Sequence, residues 1–314
     1  MTITVTEVSG RRKTMDAPLS MEIQRDLYVP ADSLKAMFLL EGKASEIMFI
    51  DVRSNSGKRL FTGRVDRQVA EHSQEGRIMT ITARSSAAVL VDNMVMPRVF
   101  EKCRFSEMFR IIAVPLGITG LRGDFLMQDT LRIGMGTTAW GALCRACEVA
   151  RMRRPWVDSS DRVTIGGFPE SPHLSFSNQR SGATPFLSAS MEWNRHQEIS
   201  SVVYKNRFNQ PGRMITQEDA LRRGILRQVI LSSSMQDLSA RYYEANNKIK
   251  TAQGGARAMQ VVVAGQAFYE MGTPASVSDS YIGRSPLRVT GLRYVLDKTG
   301  ERTYLTLWDR DDVY

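Results

Sequence analysis

Cysteine is scarce in this chain. Three cysteines in 314 residues cannot build a disulfide framework, and the count fits synthesis in a reducing cytoplasm. No apolar run approaches the ~18 residues that span a bilayer, so we expect no stable membrane insertion. The opening residues Met1–Thr6 carry no basic, apolar and small segments in succession, so no signal peptide is visible. Histidine is equally rare. His72, His173 and His196 lie far apart, and none has a second histidine at metal-ligand spacing. The G-x-S-x-G elbow of hydrolases is missing. Asp51, Asp66 and Asp92 stand singly at strand or turn ends, and nothing marks a carboxylate pair as general acid and base. We therefore expect no catalytic, cofactor-binding or metal-binding residues, no cofactor, and no enzyme activity.

The length suggests about two or three domains with a full core. Hydrophobic residues (42%) and charged residues (24%) stand at ordinary globular levels. Forty-two basic residues against 33 acidic ones leave a net charge of +9, which favours an acidic partner without naming one. The arginines are dispersed, and the densest run is Arg151-Met152-Arg153-Arg154. A basic arm would concentrate them, so solvated faces and protein interfaces are favoured over a nucleic-acid groove.

Residues 1–98 read as mostly strand. Ile47–Val52 has apolar residues on both faces, and Ser54–Gly57 supplies a turn. Leu60–Asp66 returns, and Arg77–Ala83 follows a turn at 73–76. Ser85–Val91 suggests one helical turn, ending at Asp92-Asn93. The character changes over 99–170. Phe105, Met108, Phe109 and Ile112 share one helix face, and Pro115 with Gly117 ends that helix. Trp140, Leu143, Cys144 and Cys147 repeat the spacing, with a short strand at 162–165. Residues 171–213 are polar around one strand at 199–204. Helix starts are expected at Thr216–Asp219 and Ser234–Asp237. The second opens a helix over 235–252 with Leu238, Tyr242, Ala245 and Ile249 on one side, stopped by Gly254-Gly255.

The last sixty residues are strands: Met259–Ala264, a bend through Pro274, and a hairpin of Leu287–Leu296 and Glu301–Trp308 about the turn 297–300. Leu287 and Val289 share one parity; Leu292, Tyr294 and Leu296 share the other. A one-residue slip flips every side chain, so the phase change at Thr290-Gly291 predicts a β-bulge at Gly291. No short repeat recurs, but the two ends of the chain loosely echo each other as strand-turn-strand units.

Two motifs invite chemistry. Cys144-Arg145-Ala146-Cys147 is a C-x-x-C without a second ligand pair, on an apolar helix stripe where cysteine packs as a small hydrophobe. Gly134-Met135-Gly136-Thr137-Thr138 lacks the endings of phosphate or dinucleotide loops. It reads as a loop with Thr137 or Thr138 near the N-cap of the Trp140 helix.

Three stretches together resemble the baseplate hub proteins of contractile phage tails, the Mu-like hub and late control protein D family. The first is Leu60-Phe61-Thr62-Gly63-Arg64-Val65-Asp66, the strand 78–82, and Ala83-Arg84-Ser85-Ser86-Ala87-Ala88-Val89-Leu90-Val91-Asp92, with Ala83 where the family has Gly. The second is the two-helix insert with Ala139-Trp140-Gly141-Ala142-Leu143. The third is the ending through Thr303-Tyr304-Leu305-Thr306-Leu307, where the family's Trp after Gly265 is missing and Phe268 stands nearby. The resemblance implies a mainly β, α+β fold: a tube-type β-barrel domain at 1–98, a small α/β insert at 99–170, and a second tube-type β-barrel domain at 171–314 with the helix 235–252 embedded. It further implies a structural homotrimer whose six barrels ring the junction between a sixfold tail tube and a threefold spike or tip. Expected partners are the tail tube or distal tail protein and a spike or tip protein, with a tape-measure protein as a further candidate and DNA only in transit. Its place would be the virion tail, after synthesis in the host bacterial cytoplasm. Type VI secretion spike proteins look similar but carry a fused β-helical spike, so with Tyr314 as the last residue the spike is expected on another chain. The alternatives carried are a basic nucleic-acid-binding protein and a tail-associated cell-wall hydrolase.

Overall fold

The computed structural model describes residues 1–40, 42–74, 76–205, 210–231 and 238–313. It is mainly β, with 44% strand and 17% helix, as the sequence reading expects.

The first strand group comprises β1 (Thr2–Glu7), β2 (Arg12–Met15), β3 (Ser20–Asp26), β4 (Val29–Leu39), β5 (Ile47–Arg53), β6 (Arg59–Ser73) and β7 (Gly76–Ser85). Period-two alternation puts Met21 and Ile23, Leu34, Ala36 and Phe38, and Met79, Ile81 and Ala83 into one core. Not every apolar residue of β5 joins that core: Met48 is exposed, and Phe49 lies 5.5 Å beneath the Arg64 guanidinium. A 3-10 turn at Ser86–Ala88 runs into α1 (Val89–Asp92), the helical turn expected there.

The insert runs through β8 (Arg98–Phe100), α2 (Phe105–Ile112), β9 (Leu121–Arg122), β10 (Leu131–Ile133), α3 (Ala139–Val149), β11 (Trp156–Val157) and β12 (Val163–Thr164). All four members of the expected α2 stripe are buried. The Glu107 carboxylate accepts the Arg104 backbone N–H at 2.9 Å, satisfying a donor that helix geometry leaves free. After Ile112 the chain tightens into a 3-10 turn at Val114–Leu116 and leaves through Gly117 at φ 86°. Thr138 caps α3, its Oγ1 accepting from Gly141 N at 3.0 Å.

The remaining elements are β13 (Leu174–Phe176), β14 (Ser188–Met191), β15 (Ser201–Lys205), β16 (Pro211–Thr216), α4 (Glu218–Arg222), β17 (Gln228–Leu231), α5 (Leu238–Ala256), β18 (Met259–Ala264), β19 (Pro274–Val277), β20 (Arg284–Asp297) and β21 (Gly300–Asp309). Helix α4 begins where expected, but Gln217 precedes it and no side chain caps it. The proposed start at Ser234–Asp237 lies outside the described residues.

Two expectations about α5 are corrected. The helix runs through Gly254-Gly255 to Ala256. A Cβ on Gly254 would stand 2.2 Å from Cε3 of Trp308, so glycine is there to admit the indole rather than to stop the helix. Tyr242 is exposed, whereas Ala240, Arg241, Ala245 and Ile249 are buried; the stripe follows the small residues instead of the aromatic one.

The sheet topology ties the chain's ends together. Thirteen strands form one sheet, with the path β14-β18-β21-β20-β3-β4-β7-β6-β5-β1-β2 and with β13 and β19 attached through β20. Among the described residues no strand path closes on itself. The join is β20 against β3, pairing Gly291–Leu296 with Asp26–Met21. The expected bulge makes this possible: the register of β20 on β21 slips between Val289 and Gly291. Before the slip β20 pairs with β19; after it, with β3. The bend thus lets one strand serve two neighbours. One hydrophobic core follows the sheet, including Phe61, Phe176, Val261, Leu292, Tyr294 and Leu305. Phe268 lies in it, 5.3 Å from the Tyr294 ring and beneath Arg25.

Candidate assembly surfaces

The motif residues of the first strand group converge on Arg84. Asp66 is the extra residue of a bulge, since β6 slips against β7 between Val65 and Arg67. The slip brings its carboxylate to Arg84 at 2.7 Å, while Asp92 at the end of α1 reaches the same guanidinium at 2.8 Å. Both carboxylates hold Arg84 more firmly protonated, and its hydrogen bonds keep Asp92 below the usual carboxylate range. Gly63 lies beside this knot, where a Cβ would stand 2.2 Å from the Arg84 carbonyl oxygen. The two aspartates that stand alone in sequence are therefore brought together, but as arms of an ion-pair clamp between strand and helix. Asp51 is elsewhere, paired with Arg53 at 2.7 Å.

The other candidates scatter. Cys147 is buried and Cys144 half-buried on α3; burial pushes the Cys144 thiol up to about 12 and Cys147 well above its ordinary value. Both are held as neutral thiols, and Cys147 packs in the core that includes Leu143 and Ala146. All three histidines are exposed, and His173 meets the Ser276 hydroxyl at 3.1 Å. Among the described residues no three His, Cys, Asp or Glu side chains gather as metal ligands, and no helix is long and apolar enough to cross a membrane.

A cleft of about 400 Å³ lies where four stretches of chain meet, lined by Arg25, Lys58, Arg59, Ser159 and Phe268–Glu270. Sequence reasoning missed it because its members are up to 245 positions apart, from Arg25 to Glu270. Its polar groups serve one another. Arg25 pairs with Asp32 at 2.7 Å, Arg59 with Asp161 at 3.2 Å, Lys58 donates to the Phe268 carbonyl at 2.9 Å, and Ser159 donates to Glu270 at 2.5 Å. Burial lifts the Asp32 pKa to about 6 against the pull of Arg25. These contacts fasten residues 158–161 to both strand groups.

What remains open lies at the edges. The large sheet ends in β14 on one side and β2 on the other. The small sheet β16-β15-β17 packs one face on α5 through Val202, Tyr204, Ala245 and Ile249. Many arginines enter dispersed ion pairs, for example Arg223 and Arg257 on buried Glu198.

No protein-family model matches the chain, and neither does any curated protein. Solved structures do. The chain has the fold of phage tail proteins. It is similar to the tail protein of Neisseria meningitidis MC58 (18% identity, TM-score 0.76, 99% of this chain and 98% of that one). It is also similar to the 43 kDa tail protein of prophage MuSo2 of Shewanella oneidensis (15% identity, TM-score 0.81, 100% and 99%). A type VI secretion system component of E. coli, itself described as similar to the T4 bacteriophage tail proteins gp27 and gp5, shares the fold at 8% identity and TM-score 0.58, over 93% and 73% of the two chains.

Proposed function

We propose that this protein is the hub of a phage tail or phage-like injection device: a non-enzymatic homotrimer joining the tail tube to the spike or tip. The observation that carries the reading is the single sheet running from β14 to β2, in which two strand groups are spliced at β20–β3 and, among the described residues, both outer edges have no further strand partner. On this reading residues 1–98 and 171–314 each supply one tube-type unit, so three copies present six units to a sixfold tube and three copies of one surface to a threefold spike. Open edges are costly unless a neighbour covers them, and a ring of copies covers every edge. The likeness in fold to tail proteins over nearly the whole chain supports the same reading.

Solution mass and negative-stain imaging of the full chain, alone and with the tube and spike proteins of the same tail, test the proposal. A three-copy ring is expected. A chain that stays monomeric with both partners present overturns it. Cell-wall digestion by the purified chain would overturn the non-enzymatic part.

A further inference from the structure

Several exposed large apolar side chains gather where the first strand group runs into the insert. Met94 (71% exposed), Met96 (82%) and Ile111 (47%) edge a groove of about 300 Å³ whose floor is buried Ile112 and Ala139. The groove is held open by the backbone. Val95 N–H donates to the Thr137 carbonyl at 2.9 Å, and Ala139 N–H to the Asn93 carbonyl at 2.8 Å, so the methionine segment is laced to the start of α3. Arg98 lines the same groove and lies 5.8 Å from the Phe100 ring, with no carboxylate partner among the described residues.

A complementary knob stands elsewhere on the chain. Of the four tryptophans, Trp193 alone is exposed, at 64%. It follows the edge strand β14, and backbone bonds on both sides fix it: Glu192 N–H to the Ala258 carbonyl at 3.0 Å and Asn194 N–H to the Ala256 carbonyl at 2.8 Å. The adjoining Glu192 carboxylate accepts from the Asn194 amide at 3.3 Å and, among the described residues, meets no cation. An unpaired acid beside an exposed indole matches an unpaired base beside a methionine-walled groove. Thioether sulfur and aromatic rings attract, and a desolvated tryptophan makes a strong anchor.

We propose that Trp193 of one copy seats in the Met94–Met96–Ile111 groove of the next, with Glu192 facing Arg98. Groove and knob are different patches, so the contact is head-to-tail, the kind that closes into a ring. The inference rests on the trimeric hub reading.

The test pairs Met96→Cys with Trp193→Cys in a Cys103→Ser chain, under mild oxidation with the tube protein present. Covalent ladders up to a trimer are expected from the double variant and from neither single one. Trp193→Ala is expected to weaken ring association roughly 30-fold or more, the scale of a buried tryptophan hot spot. Arg98→Glu is expected to weaken it as well, with Glu192→Arg added to it restoring association. All are surface changes, and unchanged melting checks that each variant folds. A ring that forms without cross-links and ignores Trp193→Ala overturns the inference and leaves the hub reading standing. Cross-links that the Met96→Cys chain makes only to the tube protein overturn it too, by giving the groove another occupant. Failure to form any ring sinks both.

Discussion

Gly254 offers a sharp test, because the same substitution should change sign with its neighbour. Alanine exceeds glycine in helix propensity by up to about 1 kcal/mol, and less in a last turn. At Gly255 a Cβ would meet only Gln197 Oε1 at 3.6 Å and Trp308 Cζ2 at 3.7 Å, ordinary contacts. Gly255→Ala should therefore stabilise by a few tenths to about 1 kcal/mol. At Gly254 the added methyl would stand 2.2, 2.7 and 2.8 Å from three atoms of the Trp308 indole. That ring is also packed against Tyr28, 5.1 Å between centroids, which restricts its movement. Overpacking costs about 1–3 kcal/mol, so Gly254→Ala should lose about 1–2 kcal/mol net. In a Trp308→Leu background the obstacle is gone, and Gly254→Ala should become neutral or stabilising. Urea unfolding of the four chains measures the coupling, expected at about 1.5–3 kcal/mol. If Gly254→Ala is as stable as Gly255→Ala with Trp308 in place, the indole does not lie over this helix and the argument fails.

Three further outcomes are expected. Glu198 is buried, with Arg223 at 2.6 Å and Arg257 at 3.3 Å. Glu198→Ala leaves two cations without their carboxylate and should cost about 3 kcal/mol in urea unfolding; a loss under about 1 kcal/mol would refute this buried ion-pair cluster. Asp32 has a folded pKa of about 6, above its ordinary 3.8, so the folded state binds its proton more readily than the unfolded one. Its ionisation therefore destabilises the fold above about pH 6, by up to about 3 kcal/mol, and the loss is recovered as pH falls from about 6 towards about 4. The melting temperature should rise between about pH 7.5 and about pH 5.5 and rise less in Asp32→Asn, whereas equal profiles would exclude Asp32 as the cause. Burial raises the thiol pKa of Cys144 to about 12 and that of Cys147 higher still, so neither should be alkylated at about pH 8 until the chain unfolds. Rapid labelling of Cys147 in the native chain would contradict its packing role.

Periodic local patterns were readable because burial imposes them directly. The meander β5–β7, the α2 stripe and the α3 cap announce themselves within a dozen residues each. So does the bulge in β20, because its parity slip is written in Leu287, Val289, Leu292 and Tyr294. The splice of β20 to β3 had no such signal. It pairs Tyr294 with Ile23 across most of the chain, and both strands would look the same with any other partner. Gly254-Gly255 misled for a related reason: a glycine that stops a helix and a glycine that admits an indole are one letter. Tyr242 misled because helical spacing cannot tell which side of α5 faces the core, and the small residues there won. The Arg84 clamp was hidden by the bulge at Asp66, which re-aims one carboxylate out of the alternation that a strand reading assumes.

On the proposed reading, the splice changes what the hub would need from its partners. Units joined by a linker move relative to each other unless their interface is large and apolar. Here the junction has six consecutive residues of β20 paired with β3, a core shared by Phe268, Tyr294 and Ile23, and the Arg25–Asp32 and Lys58–Phe268 contacts beside it. On the proposed reading a copy would therefore enter the ring as a preset pair of tube-type units, and assembly would fix only the contacts between copies. The spacing of six units under the tube would then be decided half within the chain, at β20–β3, and half between chains, at β14, β2 and the Trp193 groove. A variant that loosens the inner joint, such as Gly291→Val against the 3.2 Å approach of Thr306, should disturb ring symmetry while leaving the Trp193 contact between copies intact.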